Sequence, residues 1–120
     1  MIVVIIAGGS GTRLWPLSTP EYPKHLLKMD GDQLSLVQNT YQRAKRIASR
    51  VYVITEASHA HHVMDQLPEL PKDAFIIESA RRGTASCIVA GLQYIAGQAD
   101  ADEPIAFMAA DHYVRDMAGF

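Results

Sequence analysis

The sequence predicts a doubly wound, mainly parallel α/β sheet. Three observations carry that prediction. An unbroken, largely β-branched run, Ile2-Val3-Val4-Ile5-Ile6-Ala7, stops at Gly8-Gly9; further apolar runs of strand length follow it; and the segments between them repeat their apolar residues at helical spacing. Parallel strands need crossover connections, and right-handed crossovers place helices on both faces of such a sheet.

The first run shows no polar alternation, the pattern of a strand covered on both faces. From Gly8 to about Asp32 polar residues prevail, and Pro16, Pro20 and Pro23 deny that stretch a regular helix or central strand while giving it defined turns. A stretch of that length without regular structure reads as a functional loop. Over Gln33 to Ser49, Leu34, Val37, Tyr41, Ala44, Ile47 and Ala48 form a helical stripe, with Arg43, Lys45 and Arg46 displaced from it.

Val51 to Thr55 is the second strand, Ser58 to Leu67 a short helix ended by Pro68, and Phe75 to Ile77 the third strand. Thr84 to about Ala96 sets Ile88, Leu92 and Ile95 on one helical face, and small Ala85, Cys87, Ala90 and Gly91 let that helix lie close against the sheet. Ile105 to Ala109 is the fourth strand. No internal repeat, linker or low-complexity tract interrupts the order.

At 120 residues and 48% hydrophobic, the chain fits one domain that buries a core and is modestly stable. A formal charge of -2 and a pI near 6.2 leave no basic field to neutralise a nucleic-acid backbone. The opening apolar run is far shorter than the ~20 residues that cross a bilayer, so no membrane association is expected. Cys87 is the only cysteine, which rules out an intrachain disulfide and makes the cytoplasm the natural assignment.

In an open α/β sheet, ligands sit outside the carboxyl ends of the strands. Two segments there carry chemistry: Gly8-Gly9-Ser10-Gly11-Thr12-Arg13 after the first strand and Asp111-His112 after the fourth. Closely spaced glycines let backbone amides approach phosphates with no side chain in the way. Arg13 adds a planar fork for phosphate oxygens, and Lys24, behind Pro23, adds a compact second cation. The glycines alone would equally make a tight turn followed by surface charges; the two cations favour a triphosphate. A Walker A motif is absent, and Leu14 stands where the dinucleotide fingerprint needs glycine.

Ala7-Gly8-Gly9-Ser10-Gly11-Thr12-Arg13-Leu14-Trp15-Pro16-Leu17-Ser18, followed by Pro23-Lys24-His25-Leu26-Leu27, resembles the signature of the sugar-1-phosphate nucleotidyltransferase family. Trp15, the Pro-Lys pair and the later Asp-His resemble its mannose-1-phosphate guanylyltransferase branch rather than the thymidylyl and uridylyl branches. The branch usually reads Glu-Pro and then Arg-Asn-Thr-Ala-Pro-Ala-Ile where this chain has Glu78 to Ile88. Arg82, Thr84, Ala85 and Ile88 agree with it, whereas Ser79, Gly83, Ser86 and Cys87 depart from it.

The resemblance implies a Rossmann-like, glycosyltransferase-A-like fold whose nucleotide-binding part is residues 1–120. It implies GTP and mannose 1-phosphate as substrates and Mg²⁺ as cofactor. It implies nucleotide contacts from Ala7, Gly8, Gly9, Gly11, Thr12, Arg13, Lys24, Arg82, Thr84 and His112. Arg13, Lys24 and Asp111 would be catalytic, with Asp111 the metal ligand, since Mg²⁺ takes oxygen donors and often only one or two carboxylates beside phosphates.

Plainer roles stand beside these. Asp111 would also suit a turn, His112 would merely orient Asp111, Arg82 would form a solvated pair with Arg81, and Thr84 would cap its helix. His59, His61 and His62, with Asp65 one turn on, read as a solvated helix face rather than a metal site, and Cys87 reads as packing. Rival functions are another branch of the same family and a nucleotide-binding regulatory module without catalysis. The chain stops a few residues past its fourth strand, so it is expected to be an N-terminal piece, inactive alone, with the sugar pocket and second metal ligand beyond it. The sequence leaves room for a homo-oligomer.

Overall fold

The computed structural model describes residues 1–7, 26, 28, 34–78, 84–97 and 102–110. Four strands, β1 (Ile2–Ala7), β2 (Arg50–Glu56), β3 (Phe75–Glu78) and β4 (Ile105–Ala109), alternate with three helices, α1 (Leu36–Ile47), α2 (Ala60–Gln66) and α3 (Thr84–Ile95). A short 3-10 turn, Lys72–Ala74, precedes β3. Every strand pair is parallel, and the sheet order is β3-β2-β1-β4. The expected α/β architecture is the one observed.

β1 is central, with Ile2 to Ile5 fully buried, which is why its sequence alternates nothing. Val3, Ile5 and Ala7 face a core shared with Val37, Tyr41 and Ala44 of α1, Val63 of α2 and Leu67 just after it. Ile2 and Val4 face the other core, where Tyr52, Ile54, Ile76 and Ile95 of α3 meet. Helices therefore cover both faces. β4 is half-buried along its whole length, as befits the strand with only β1 beside it among the described residues.

The start of α1 is fixed by a capping box: the Gln38 amide donates to Ser35 Oγ at 3.2 Å, and the Ser35 amide donates to Gln38 Oε1 at 2.8 Å. Two orphan donors of the first turn are thereby satisfied. This cap corrects the expected start at Gln33 and leaves Leu34 exposed; Ile47, at the other end of the expected stripe, is exposed as well. Arg43, expected on the solvent side, is only 1% exposed, because the buried face of α1 extends through Leu36 and Thr40 toward β4.

α3 lies close to the sheet where Gly91 has no side chain. A Cβ there would stand 3.1 Å from Ile54 Cδ1 and 3.2 Å from Phe107 Cε1. Ile95 is fully buried, but Leu92, expected beside it, is 43% exposed. The helix meets the sheet through its glycine, and that contact turns Leu92 outward.

Replacing Gly91 with valine is expected to destabilise the protein by about 1–3 kcal/mol, since two methyls must fit where one carbon already crowds both side chains. Gly91→Ala should change stability less, because it meets only side-chain tips and gains about 1 kcal/mol of helix propensity. Urea midpoints of the two variants check the order.

Candidate functional site at the carboxyl edge of the sheet

The order β3-β2-β1-β4 contains one reversal. The chain steps outward from β1 to β2 to β3 through α1 and α2, then returns through α3 on the opposite face to β4, on the other side of β1. The crevice between the carboxyl ends of β1 and β4 is therefore the topological switch point, where ligands bind in open α/β sheets.

Register makes the juxtaposition definite. Ile6 pairs with Ala109, and the Ala110 amide donates to the Ile6 carbonyl at 3.0 Å. Ala7, one residue further, is buried and pairs with Thr55 on its other side. Neighbouring strands lie about 4.8 Å apart, so the chain leaves β1 at Ala7 and β4 at Ala110 side by side. Gly8 follows the first exit and Asp111 the second.

Of the expected site residues, Ala7 closes β1 and Thr84 opens α3. α3 follows the carboxyl end of β3, so its first turn lies on the same side of the sheet as both exits. Gly8, Gly9, Gly11, Thr12, Arg13, Lys24, Arg82, Asp111 and His112 lie outside the described residues.

Two polar clusters hold the ends of these segments, and neither was expected from the sequence. In the first, Arg43 Nη2 donates to Thr40 Oγ1 at 3.1 Å, and that hydroxyl lies 3.1 Å from the Ala110 carbonyl oxygen and 2.9 Å from that of Leu36. Burial pushes the Arg43 guanidinium below its ordinary pKa, because desolvation disfavours the charged form. In the second, Gln66 Nε2 of α2 donates to the Leu26 carbonyl at 3.2 Å, while Gln38 Nε2 donates to the Gln66 carbonyl at 3.0 Å and Ser35 Oγ to Gln66 Oε1. Leu26 itself is buried in the core beneath α1 and α2, two residues past Lys24. The Ser-x-x-Gln spacing of the capping box was a readable signal for Ser35; nothing local in the sequence announces Thr40 or Gln66.

His59 corrects the solvated histidine face. It is 4% exposed, its amide donates to the Glu56 carbonyl at 3.0 Å, and its Nδ1 stands 3.9 Å from Glu56 Oε2. The tight turn from β2 into α2 folds this ring inward, while His61 remains exposed, its ring 4.0 Å from that of His62 and tilted 37° to it. Among the described residues no group of three or more His, Cys, Asp or Glu side chains could hold a metal ion. A depression of about 380 Å³ lined by Arg50, Tyr52, Leu70 and Asp73 opens at the amino ends of β2 and β3, the wrong end of the sheet for this site.

With the geometry in place, known proteins bear on its chemistry. The nucleotidyl transferase family model matches residues 2–120. The mannose-1-phosphate guanylyltransferase of Salmonella muenchen is 42% identical over 120 residues, covering 97% of this chain and 25% of the relative. RfbM of Salmonella typhimurium, named for the same activity, is 38% identical over 98% of this chain and 25% of its own length. The xanthan biosynthesis protein XanB of Xanthomonas campestris is 36% identical over 100% of this chain and 26% of its own. The chain thus spans about a quarter of the length of the curated relatives it matches.

Two solved structures share the fold at low identity. A Bacillus anthracis protein described as a glucose-1-phosphate thymidylyltransferase has a TM-score of 0.73 and 18% identity, covering 92% of this chain and 44% of its own. The mannose-6-phosphate isomerase of Helicobacter pylori has a TM-score of 0.68 and 21% identity, covering 98% of this chain and 41% of its own.

Ser35→Ala removes both the helix cap and the bond to Gln66. A loss of about 1–2 kcal/mol in denaturant unfolding is the expected outcome, at the level of a typical N-cap deletion.

Proposed function

Because the chain belongs to the nucleotidyl transferase family, we propose that it forms the nucleotide-binding part of a mannose-1-phosphate guanylyltransferase. The reaction is GTP plus α-D-mannose 1-phosphate giving GDP-mannose and pyrophosphate. The observation that carries the reading is the switch point itself: β1 and β4, which the glycine run and Asp111 follow in sequence, end side by side at the same edge. Relatives at 36–42% identity bear the name of this activity or of a xanthan biosynthesis protein, which supports the choice of branch.

In this reading a phosphate oxygen of mannose 1-phosphate attacks the α-phosphorus of GTP. A new P–O bond forms as the bond to the β,γ-diphosphate breaks, and pyrophosphate departs with the electron pair. No covalent intermediate on the protein is needed. Backbone amides of Gly8, Gly9, Gly11 and Thr12, next to Ala7, bind the nucleotide, with Arg82, Thr84 and His112 contributing from the other segments. Arg13 grips the β and γ phosphates with its fork, and Lys24 follows the phosphates as charge shifts during transfer.

Asp111, the residue after the strand end that the Ala110 bond to Ile6 fixes, would hold Mg²⁺ through its carboxylate, an oxygen donor of the kind this ion takes together with phosphate oxygens. When bound there, the metal supplies positive charge against the phosphates. Alignment of the two substrates accounts for the remainder of the rate. Among the described residues no helix is long and apolar enough to cross a membrane, and a cytoplasmic enzyme is the setting we propose.

The test is pyrophosphate release by the full-length protein from GTP, mannose 1-phosphate and Mg²⁺, set against dTTP or UTP with glucose 1-phosphate. Preference for either of the latter pairs would move the protein to another branch. Arg13→Ala should weaken GTP binding by about tenfold or more in calorimetry, the scale of one charge-assisted hydrogen bond. Lys24→Ala should lower kcat more than it raises KM for GTP, because an interaction made in the transition state is lost; a change in KM alone contradicts that role.

A further inference from the structure

The depression of about 380 Å³ at the amino ends of β2 and β3 has no part in the chemistry assigned above. It exists because the two strands start out of step. β3 pairs with β2 only from Val53 onward, so Arg50, Val51 and Tyr52 have β1 on one side and no strand on the other among the described residues. The connection that follows α2, residues 67–74, walls the gap instead. Its backbone is held by the Leu70 amide on the Leu67 carbonyl at 3.1 Å and the Ala74 amide on the Pro71 carbonyl at 3.0 Å. From α3, the Tyr94 hydroxyl donates to the Asp73 carbonyl, and the Tyr94 ring meets that of Tyr52 edge-on, with centroids 6.1 Å apart. The walls are thus fixed before any ligand arrives, as those of small-molecule sites generally are.

The lining divides by chemistry. Tyr52 and Ala74 are buried and Leu70 packs against both cores, so the floor is apolar and partly aromatic. Arg50 and Asp73, both exposed, stand at the rim with opposite charges. No ion pair joins them: Arg50 Nη2 lies 3.6 Å from Glu103 Oε2, and the Asp73 carboxylate has no hydrogen bond or ion pair among the described residues. A pair as long and as exposed as that of Arg50 with Glu103 contributes little. A carboxylate brought to the planar guanidinium fork therefore competes for it on good terms.

We propose that this depression is a second ligand site, for a free α-amino acid with an aromatic or branched apolar side chain. Its carboxylate meets Arg50, its ammonium meets Asp73, and its side chain lies on the floor of Tyr52, Leu70 and Pro71. A cation and an anion on one rim above an apolar floor match such a zwitterion group for group. A phosphate compound would instead meet Asp73 and Glu103, two like charges, and a simple amine would bring nothing to Arg50. The site lies at the opposite edge of the sheet from the switch point, so it is independent of the proposed reaction.

The experiment titrates the full-length protein with L-phenylalanine by saturation-transfer NMR, with and without saturating GTP. The titration is repeated with phenylpropionate, which lacks the ammonium, and with phenethylamine, which lacks the carboxylate. L-Phenylalanine should bind with a dissociation constant of about 1 mM, the scale for a ligand of about a dozen heavy atoms in an open site, and saturating GTP should leave it unchanged. Arg50→Gln should weaken phenylalanine about fivefold and phenethylamine not at all. Asp73→Asn should weaken phenylalanine about fivefold and phenylpropionate not at all, the upper range for one exposed ion pair. Both residues are exposed, so neither substitution threatens the fold. Absence of saturable phenylalanine binding overturns the proposal. Displacement by GTP does so as well, since it would put the amino acid in the nucleotide's site. Equal affinity for the three compounds, or losses in the variants that ignore which charged group a compound carries, removes the assigned contacts and overturns it too.

Discussion

Parallel pairing of β1 with both β2 and β4 is the constraint from which the remaining architecture follows. A strand bonded on two edges and buried on two faces tolerates neither polar side chains nor a register shift, since a slip of one residue would exchange the cores that Val3 and Val4 separately join. That fixed register brings Ala7 and Ala110 out of the sheet as neighbours. It also obliges α1 and α2 to pack on one face and α3 on the other, because the chain must return past β1 to reach β4.

The two strands that flank the switch point, β1 and β4, supply position but no charge, whereas β2 and β3 end in Glu56 and Glu78. The carboxyl ends of β1 and β4 are Ala7 and Ala109-Ala110, small residues above an apolar core. Polar order is supplied instead by the helices, through side chains that reach into carbonyls at the borders of the expected loops. Buried hydroxyl, amide and guanidinium groups are costly unless paired, so each such bond also makes the loop border selective about which backbone geometry it accepts. Glu56 and His59 do the equivalent at the exit of β2, where the turn closes on itself.

Strands were legible in the sequence because a run such as Ile2–Ala7 has no other way of being soluble than to be covered. Helix positions were legible from Val37, Tyr41 and Ala44, whose spacing admits one face. Periodicity misassigned Arg43 and His59, since it counts a polar residue as solvent-facing and carries no knowledge of a buried hydroxyl partner such as Thr40 or of a turn that folds inward. It also missed the outward turn of Leu92, which is set by the close approach at Gly91 rather than by the hydropathy of its own neighbours. The switch point at the carboxyl edge of β1 and β4 was legible, because the order of strands and helices dictates it. The chemistry assigned to Gly8 through Arg13, to Lys24 and to Asp111 came from motif resemblance, and those residues lie outside the described part of the chain.

One feature of α1 reaches beyond packing. Its capped N-terminus and Gln38 hold Gln66, which carries the Leu26 carbonyl, while Thr40 and Arg43 on the same helix hold the carbonyl of Ala110. The carbonyls of Leu26, two residues past Lys24 in sequence, and of Ala110, one before Asp111, are thus tied to the same helix. Sliding or tilting that helix displaces both together and by related amounts. A substitution along α1 that alters its seat on the sheet therefore acts on both carbonyls at once.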